Sequence, residues 1–279
     1  MLPLTTSQPL SVTNIQVILT TKALGWNLHI FEETSSTNVV ALQLAAEGAE
    51  HGTVVIAERQ TAGRGRLGRQ WYSPAHHNLY CSIILQMKLS PTQVLWLPLI
   101  TGIAIAQTVE QKAGLRPSLK WPNDILIGRR KIGGILCEST NHDKKDGAVI
   151  IGIGLNVNAG KDTFPLNLQE SATSLVIETE HMFDRHGLVA TLLSHLETYL
   201  ERLLSEDPRQ LKQMYLARCL TIGRTITIQM NDGEQLEGVA QDIALDGALC
   251  VLPLADPSKP HTTDRSVIEI RSGDVTYVR

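Results

Sequence analysis

Three arginines and three glycines alternate in the stretch "QTAGRGRLGRQWYSP", residues 60–74. The side chains of Arg64, Arg66 and Arg69 are permanently charged, fork-shaped donors that match the oxygens of phosphates and carboxylates. The glycines between them leave backbone N–H groups free to approach the same oxygens. Because the whole chain has a formal net charge of −3, this local charge predicts a loop that closes over a small polyanion and excludes water from it.

A dinucleotide-binding turn is one alternative, since Gly63, Gly65 and Gly68 spell the pattern G-x-G-x-x-G. In a Rossmann fold this pattern opens a helix, and an acidic residue about 20 positions later binds the ribose. Here "RQWYSP" follows and cannot start a helix, and no Asp or Glu occurs between Glu58 and Glu110. The sequence also contains no Walker phosphate-binding motif. Both nucleotide-binding patterns are therefore rejected.

Nucleic-acid binding and a solvated surface loop are the other interpretations of the same stretch. Trp71 and Tyr72 follow the arginines and could stack bases. However, acidic residues outnumber basic ones over 219–279, whereas a general nucleic-acid binder shows a broad basic face. A solvated loop rarely combines three arginines with two adjacent aromatic residues. The composition favours a small anionic ligand.

A second group of chemically useful residues lies in "LKWPNDILIGRRKIGGILCE", residues 119–138. Lys120 and Lys131 flank a Pro-Asn-Asp turn that contains Asn123 and Asp124, and a Gly-Gly pair follows. Taken singly, the lysines fit surface positions and Asp124 fits a turn. Together they place ammonium and carboxylate groups within one short segment.

Four motifs in this order resemble those of the biotin protein ligases, the biotin–[acetyl-CoA-carboxylase] ligases. They are "SSTN" at 35–38, "QTAGRGRLGR" at 60–69, "KWPND…KIGG" at 120–134 and "IGIGLNVN" at 151–158. The resemblance implies an ATP-dependent ligase that activates biotin as biotinoyl-5'-AMP and releases pyrophosphate. The biotinoyl group would then pass to one lysine of the biotin carboxyl carrier protein of acetyl-CoA carboxylase. The nearest alternative is a lipoate–protein ligase-like acyl-adenylate transferase, which should lack "GRGRLGR" and "KWPND". The alternative from another class is a nucleic-acid-binding regulator.

The same resemblance assigns roles to individual residues. Lys131 and Arg64 would be catalytic, with Lys131 between the biotin carboxylate and the α-phosphate. Biotin would be bound by Ser36, Thr37, Asn38, Gln60, Arg64, Gly65, Arg66, Lys131 and Gly134. ATP would be bound by Arg66, Arg69, Trp71, Asn123 and Asn156, with adenine packed on Trp71. Asn123 and Asp124 would support Lys131 or a magnesium ion. Mg²⁺ would accompany ATP, and Asp124 is the expected metal ligand.

The elements that position these residues predict an α/β (α+β) fold. We expect a leader over 1–27 with at most a short helix and a catalytic domain over 28–218 with a mixed sheet flanked by helices. The resemblance implies that the strands over 219–279 form a small SH3-like β-barrel. Long helices are predicted at 91–113 and 184–205, and a short one at "SATSL" (171–175). Hairpins are predicted across "NHDKKDG" (141–147) and at the "NDG" turn (231–233).

The remaining signals concern the compartment and the partners. The four cysteines are widely spaced, as in a reducing cytoplasm. No secretory signal is evident, and the apolar segment 94–106 contains a proline and a glycine and is too short to span a membrane. The short segment before residue 28 leaves no room for the DNA-binding domain of the repressor-type members. We therefore expect a cytoplasmic enzyme without DNA or membrane partners that can form a homodimer.

Overall fold

A computed structural model describes residues 8–140, 147–230, 233–254 and 266–277. Its larger sheet has seven strands in the order β1-β2-β3-β7-β6-β5-β4. Only β1 and β2 run parallel, and the other neighbours are antiparallel. The strands are β1 (Leu28–Thr34), β2 (Val54–Gln60), β3 (Leu79–Leu85), β4 (Ser118–Lys120), β5 (Asp124–Ile127), β6 (Arg130–Ser139) and β7 (Val149–Leu155).

Helices cover both faces of this sheet because the central strands are apolar on both sides. The side chains of Val55, Ile84 and Ile150 pack against one helix, α2. Their neighbours Val54 and Ile83 face the larger core formed with α3 and α5. The helices are α1 (Val12–Ile18), α2 (Thr37–Ala46), α3 (Pro91–Ala113), α4 (Leu175–Thr179), α5 (Arg185–Ser205) and α6 (Pro208–Leu216).

The ends of α3 follow from its flanking residues, and both agree with the prediction. Ser90 and Gln93 form a reciprocal capping box at its start, with proline in the first turn. Gly114 ends it with φ +67°, a conformation that glycine adopts without strain. Among the described residues, α3 is the one helix long and apolar enough to cross a membrane. Two-thirds of the most apolar stretch of this helix is buried inside the protein, which is typical of a central core helix.

The C-terminal part forms a second, antiparallel sheet in the order β11-β10-β9-β8-β12. Its strands are β8 (Thr225–Gln229), β9 (Gln235–Ile243), β10 (Leu249–Pro253), β11 (Ile268–Ile270) and β12 (Asp274–Tyr277). Two buried tryptophans of the larger domain fix it in place. Trp96 Nε1–H donates to the Leu245 carbonyl at 3.0 Å, and Trp121 Nε1–H to the Gly247 carbonyl at 3.2 Å.

The described part of the expected leader, from residue 8 onward, packs onto the catalytic domain. Leu10 N–H donates to Glu58 Oε1 at 2.6 Å, and Arg185 Nη2 donates to the Gln8 carbonyl at 2.8 Å. Ile15 of α1 is fully buried. The described part of the segment contains one short helix, α1, as expected, and its seven residues are too few to produce a recognisable period in the sequence.

The short helix predicted at 171–175 is also wrong. Ala172 lies in extended backbone beside Lys131, and Lys131 N–H donates to the Ser171 carbonyl at 2.7 Å. The helix α4 begins only at Leu175, where the Ser174 hydroxyl caps it. The strands of both predicted hairpins pair as expected. Their connections at 141–146 and 231–232 lie outside the described residues. The boundary predicted after residue 218 falls between α6 and β8.

Candidate active site

A cavity of about 110 Å³ lies between the arginine loop, the start of α2, and strands β5 to β7. The four motifs are far apart in sequence, but the sheet order brings them around this one space. The predicted residues that line it are Ser36, Thr37, Asn38, Gln60, Arg64, Gly65, Arg66, Arg69, Trp71, Asn123, Asp124, Lys131 and Gly134. The exception among the predicted residues is Asn156, which lines an adjacent cavity.

The inner end of the cavity is a hydrogen-bonded network at the start of α2. Thr37 N–H donates to Gln60 Oε1 at 2.9 Å, and Gln60 Nε2 donates to Ser73 Oγ at 2.9 Å. Ser82 Oγ lies 2.7 Å from Thr37 Oγ1 and 2.6 Å from Asn38 Oδ1. Short, mutually ordered hydroxyl and amide groups of this kind suit a small ligand with both donors and acceptors.

Ser82 and Glu138 belong to this network, and the motifs did not reveal them. Ser82 is fully buried in β3 among apolar residues. The sequence feature that could have identified it is a single serine within an otherwise apolar strand. Glu138 Oε2 accepts from Asn38 Nδ2 at 2.7 Å, while its other oxygen lies 2.8 Å from Arg64 Nη2. Glu138 therefore connects the arginine loop to the inner network.

Glycines on β6 and β7 form the floor of the cavity, because side chains of other elements occupy the space that their Cβ atoms would need. A Cβ on Gly152 would overlap the Asn38 amide, with Asn38 Cγ at 2.7 Å. A Cβ on Gly154 would lie 2.5 Å from the Trp71 ring, and one on Gly134 would lie 3.2 Å from it. The glycine pattern of "IGIGLNVN" thus lets Asn38 and the indole lie directly on the sheet.

Lys131 is a charged residue of the cavity wall with both an acidic and an aromatic neighbour. Its Nζ is 2.5 Å from Asp124 Oδ1 and 5.4 Å from the centre of a Trp71 ring. The second oxygen of Asp124 faces Lys120 Nζ at 3.9 Å. The carboxylate therefore holds the Lys131 ammonium beside the indole in the wall of the cavity, as in the supporting role that the resemblance implied.

The fit of Asp124 to a metal ion is poor. Both of its oxygens face ammonium groups, which compete with a cation for the same lone pairs. Within the described ranges, no group of three His, Cys, Asp or Glu side chains could hold a metal ion. We therefore derive no step through a resident metal.

The arginine loop is a compact turn with two arginines directed toward the C-terminal sheet. Gly65 N–H donates to the Arg69 carbonyl at 2.7 Å, and Leu67 and Gly68 have φ values of +54° and +72°. Arg66 Nη1 lies 3.5 Å from Asn123 Oδ1, and its Nη2 lies 3.4 Å from Ser272 Oγ. Burial lowers the pKa of the Arg66 guanidinium, against the opposing charges of Asp274 and Asp124. Arginine nonetheless stays charged at any physiological pH.

A second cavity of about 200 Å³ lies beside Trp71 and Lys131. Asn156 is in its wall, where its Nδ2 donates to the Thr173 carbonyl at 2.9 Å. Asn156 thus holds the segment after Ser171 in place as well as facing the cavity. The other lining residues are Gln70, Tyr72, Phe164, Leu168, Ser171 and Ala172. Phe164 and Leu168 lie in the segment 159–170, which carries no motif, so this apolar wall was not predicted from the sequence.

Comparison with known proteins separates the two acyl-adenylate alternatives. Residues 30–156 match the Biotin/lipoate A/B protein ligase family, which includes both classes. Residues 221–275 match the Biotin protein ligase C terminal domain. A biotin–[acetyl-CoA-carboxylase] ligase of Mycobacterium tuberculosis is 35% identical over 261 residues, covering 91% of each chain. The chain belongs to the biotin protein ligase family.

One further relative and one solved structure show how far the similarity extends along the chain. The bifunctional ligase/repressor BirA of Bacillus spizizenii is 35% identical over 224 residues, which are 80% of this chain and 69% of that protein. A biotin protein ligase from Aquifex aeolicus, solved in complex with biotin and ATP, superposes with a TM-score of 0.74. It is 28% identical, and the match covers 91% of this chain and 99% of that one. The family and the fold class predicted from the sequence are confirmed.

Proposed function

We propose that this chain joins biotin to ATP as biotinoyl-5'-AMP and then transfers the biotinoyl group to a lysine of a biotin carboxyl carrier protein. The observation that carries this proposal is the position of Lys131. Its ammonium lies where the polar cavity meets the second, apolar cavity, and it lines both. With biotin in the first cavity and the nucleotide in the second, a group at that junction would face the carboxylate of one substrate and the phosphate of the other.

The inner network supports biotin as the ligand of the first cavity. Biotin's ureido ring carries two N–H donors and one carbonyl acceptor, and Ser36, Thr37, Asn38 and Gln60 offer complementary groups. The Ser36 side chain is buried at the helix start without capping the helix, so its hydroxyl is available to a ligand. The valeryl carboxylate would then point toward Lys131 and Arg64.

The second cavity supports the nucleotide. Its mixture of Trp71, Phe164 and Leu168 with the Asn156 amide suits a flat, aromatic base with polar edges. Arg66 and Arg69 line the first cavity on the side of Asp274, where they would bind the phosphates. Asn123, which is hydrogen-bonded to Arg66, would hold that guanidinium in position.

Adenylation requires a carboxylate oxygen to approach a phosphorus that is already surrounded by negative oxygens. Lys131 and Arg64 would offset that repulsion from fixed positions, set by Asp124 and Glu138. Fixed donors in a site that excludes water stabilise developing charge more than water does. The new bond forms between a carboxylate oxygen of biotin and the α-phosphorus of ATP. The bond from that phosphorus to the oxygen that bridges to the β-phosphorus breaks, and pyrophosphate leaves with its electron pair.

The acceptor and the remaining partners rest on the relatives. Their names, biotin–[acetyl-CoA-carboxylase] ligase, support the carrier protein of that carboxylase as the acceptor. We expect Mg²⁺ to enter with the nucleotide phosphates, as it commonly does, because Asp124 is already paired with two lysines. A cytoplasmic location, a homodimer and the absence of DNA binding stay predictions from the sequence.

The test is a product analysis with α- and γ-labelled ATP, biotin and a purified carrier protein. Biotinoyl-AMP and pyrophosphate should appear first, and the carrier should gain the mass of one biotinoyl group on one lysine. Lipoate should not replace biotin. Release of ADP and phosphate would contradict adenylation, and equal use of lipoate would favour the other branch of the family.

A further inference from the structure

One ion pair of the site crosses between the two domains. Arg69 on the arginine loop pairs with Asp274, the first residue of β12 in the C-terminal sheet. Asp274 also lines the first cavity together with Lys131. A carboxylate at the phosphate side of a site for ATP repels the ligand, so its presence there needs a reason.

The two partners differ in how firmly they are held. The Asp274 backbone is paired with Gln229 in the C-terminal sheet, and buried contacts through Trp96 and Trp121 fix that sheet to the catalytic domain. Arg69 lies on a glycine-rich turn with an exposed side chain, 64% of it accessible, whereas Asp274 is only 17% accessible. The Asp274 carboxylate is therefore held more firmly than the Arg69 guanidinium.

Arg66 strengthens this arrangement. Its Nη2 faces Ser272, two residues before Asp274, and the Asp274 charge acts on the Arg66 guanidinium as well. Both arginines predicted to bind phosphate thus lie against one corner of the C-terminal sheet. That corner therefore contacts the arginine loop at two points beside the cavity.

We propose that Asp274 is a latch that exchanges Arg69 with the pyrophosphate part of ATP. This rests on the proposed function. A triphosphate carries several negative charges and takes Arg69 from a single carboxylate. After adenylation the pyrophosphate departs, and the remaining phosphate of biotinoyl-AMP carries one charge. Asp274 then recaptures Arg69, and the loop stays closed over the intermediate until the carrier lysine attacks.

The latch predicts that Asp274→Asn improves one property of the enzyme and impairs another. The variant should bind pyrophosphate and ATP more tightly, because a competitor for Arg69 has lost its charge. It should also release biotinoyl-AMP faster, because the closed loop has lost its partner. Exposed ion pairs contribute modestly, so we expect about two- to fivefold in each quantity. A purely structural role would weaken both functions together.

The experiment measures inorganic pyrophosphate binding by calorimetry and biotinoyl-AMP dissociation by stopped flow. It compares the wild type with Asp274→Asn, Asp274→Glu and the control Glu269→Gln. Glu269 also pairs with an arginine of the C-terminal sheet, Arg271 at 2.7 Å, but that pair lies outside the cavity. Glu269→Gln should match the wild type, and Asp274→Glu, which keeps the charge, should retain slow release.

Weaker pyrophosphate binding by Asp274→Asn, or unchanged release of the adenylate, would overturn the latch. Loss of folding in Asp274→Asn, followed by far-UV circular dichroism, would leave Asp274→Glu as the deciding variant. Fast release from that folded variant would then contradict the latch. Pyrophosphate binding does not require catalysis. A wild type that makes no biotinoyl-AMP would therefore refute the proposed function, while the pyrophosphate comparison would still decide the competition at Arg69.

Discussion

Replacement of Gly152 by alanine tests whether Asn38 is part of the biotin site. The added Cβ would lie 2.7 Å from Asn38 Cγ, whereas unbonded carbons need about 3.5 Å or more. The Asn38 side chain must therefore shift by about 1 Å. That shift breaks its contacts with Ser82 at 2.6 Å and with Glu138 at 2.7 Å. One neutral and one charged hydrogen bond together contribute roughly 2–4 kcal/mol.

Part of that loss is recovered where the displaced amide finds other partners, so we expect biotin affinity to fall at least about tenfold, or ~1.4 kcal/mol. The assay is calorimetric titration of biotin into Gly152→Ala. The control is Gly160→Ala, because a Cβ there would meet only Thr163 Oγ1, at 3.9 Å. A folded Gly152→Ala variant with wild-type biotin affinity would refute the place we assign to Asn38.

Three further predictions concern the nucleotide, the core and acid stability. Gly154→Ala should displace the Trp71 ring and raise the KM for ATP in steady-state kinetics, with less effect on biotin binding. Arg185→Ala should lower the free energy of unfolding by about 3–5 kcal/mol in a urea titration, because the buried Glu58 carboxylate loses its arginine partner. Burial raises the pKa of Asp184, but hydrogen bonds from His186 and Gly187 outweigh it and lower that pKa below its ordinary 3.8. The stabilisation from Asp184 is therefore present above that pH and lost as the pH falls further. In Asp184→Asn, the free energy of unfolding should consequently fall less steeply as the pH is lowered through this range, as measured by urea titrations at several acidic pH values.

The parts of the fold that the sequence predicted are those with local causes. The limits of α3 follow from Ser90, Gln93 and Gly114, which act within one turn of the helix ends. The arginine loop could be recognised because glycine content alone excluded a helix or a strand. The ordered motifs also predicted the family, the fold class and the ligase class, which the comparisons confirm.

The features that the sequence did not predict depend on contacts between distant positions. Glu138 meets Asn38 across 100 residues, and Asp274 meets Arg69 across 205. No local period links such pairs, and each acidic residue taken alone fits a solvated surface. The described part of the N-terminal segment is similar, because Leu10 is held by Glu58 and not by any pattern of its own.

The assigned roles of the site residues differ in how much structure supports them. Thr37, Asn38 and Gln60 are already joined in one network, so their shared role has a physical basis. Asn156 lies beside the other cavity and holds its own wall. The metal role of Asp124 has the least support, because its oxygens face two lysines.

Single-turnover kinetics of Lys131→Ala test the central claim most directly, that an ammonium fixed by Asp124 offsets the repulsion between two anions. Removing one preorganised donor costs about 10²–10³ in rate, or roughly 2.7–4 kcal/mol. We therefore expect adenylation to slow by at least that factor, while transfer from supplied biotinoyl-AMP slows much less, since that step joins no two anions. Lys120→Ala is the control, because Lys120 faces the same carboxylate at 3.9 Å but does not line the cavity. Equal slowing of both steps in Lys131→Ala, or of neither, would contradict the account.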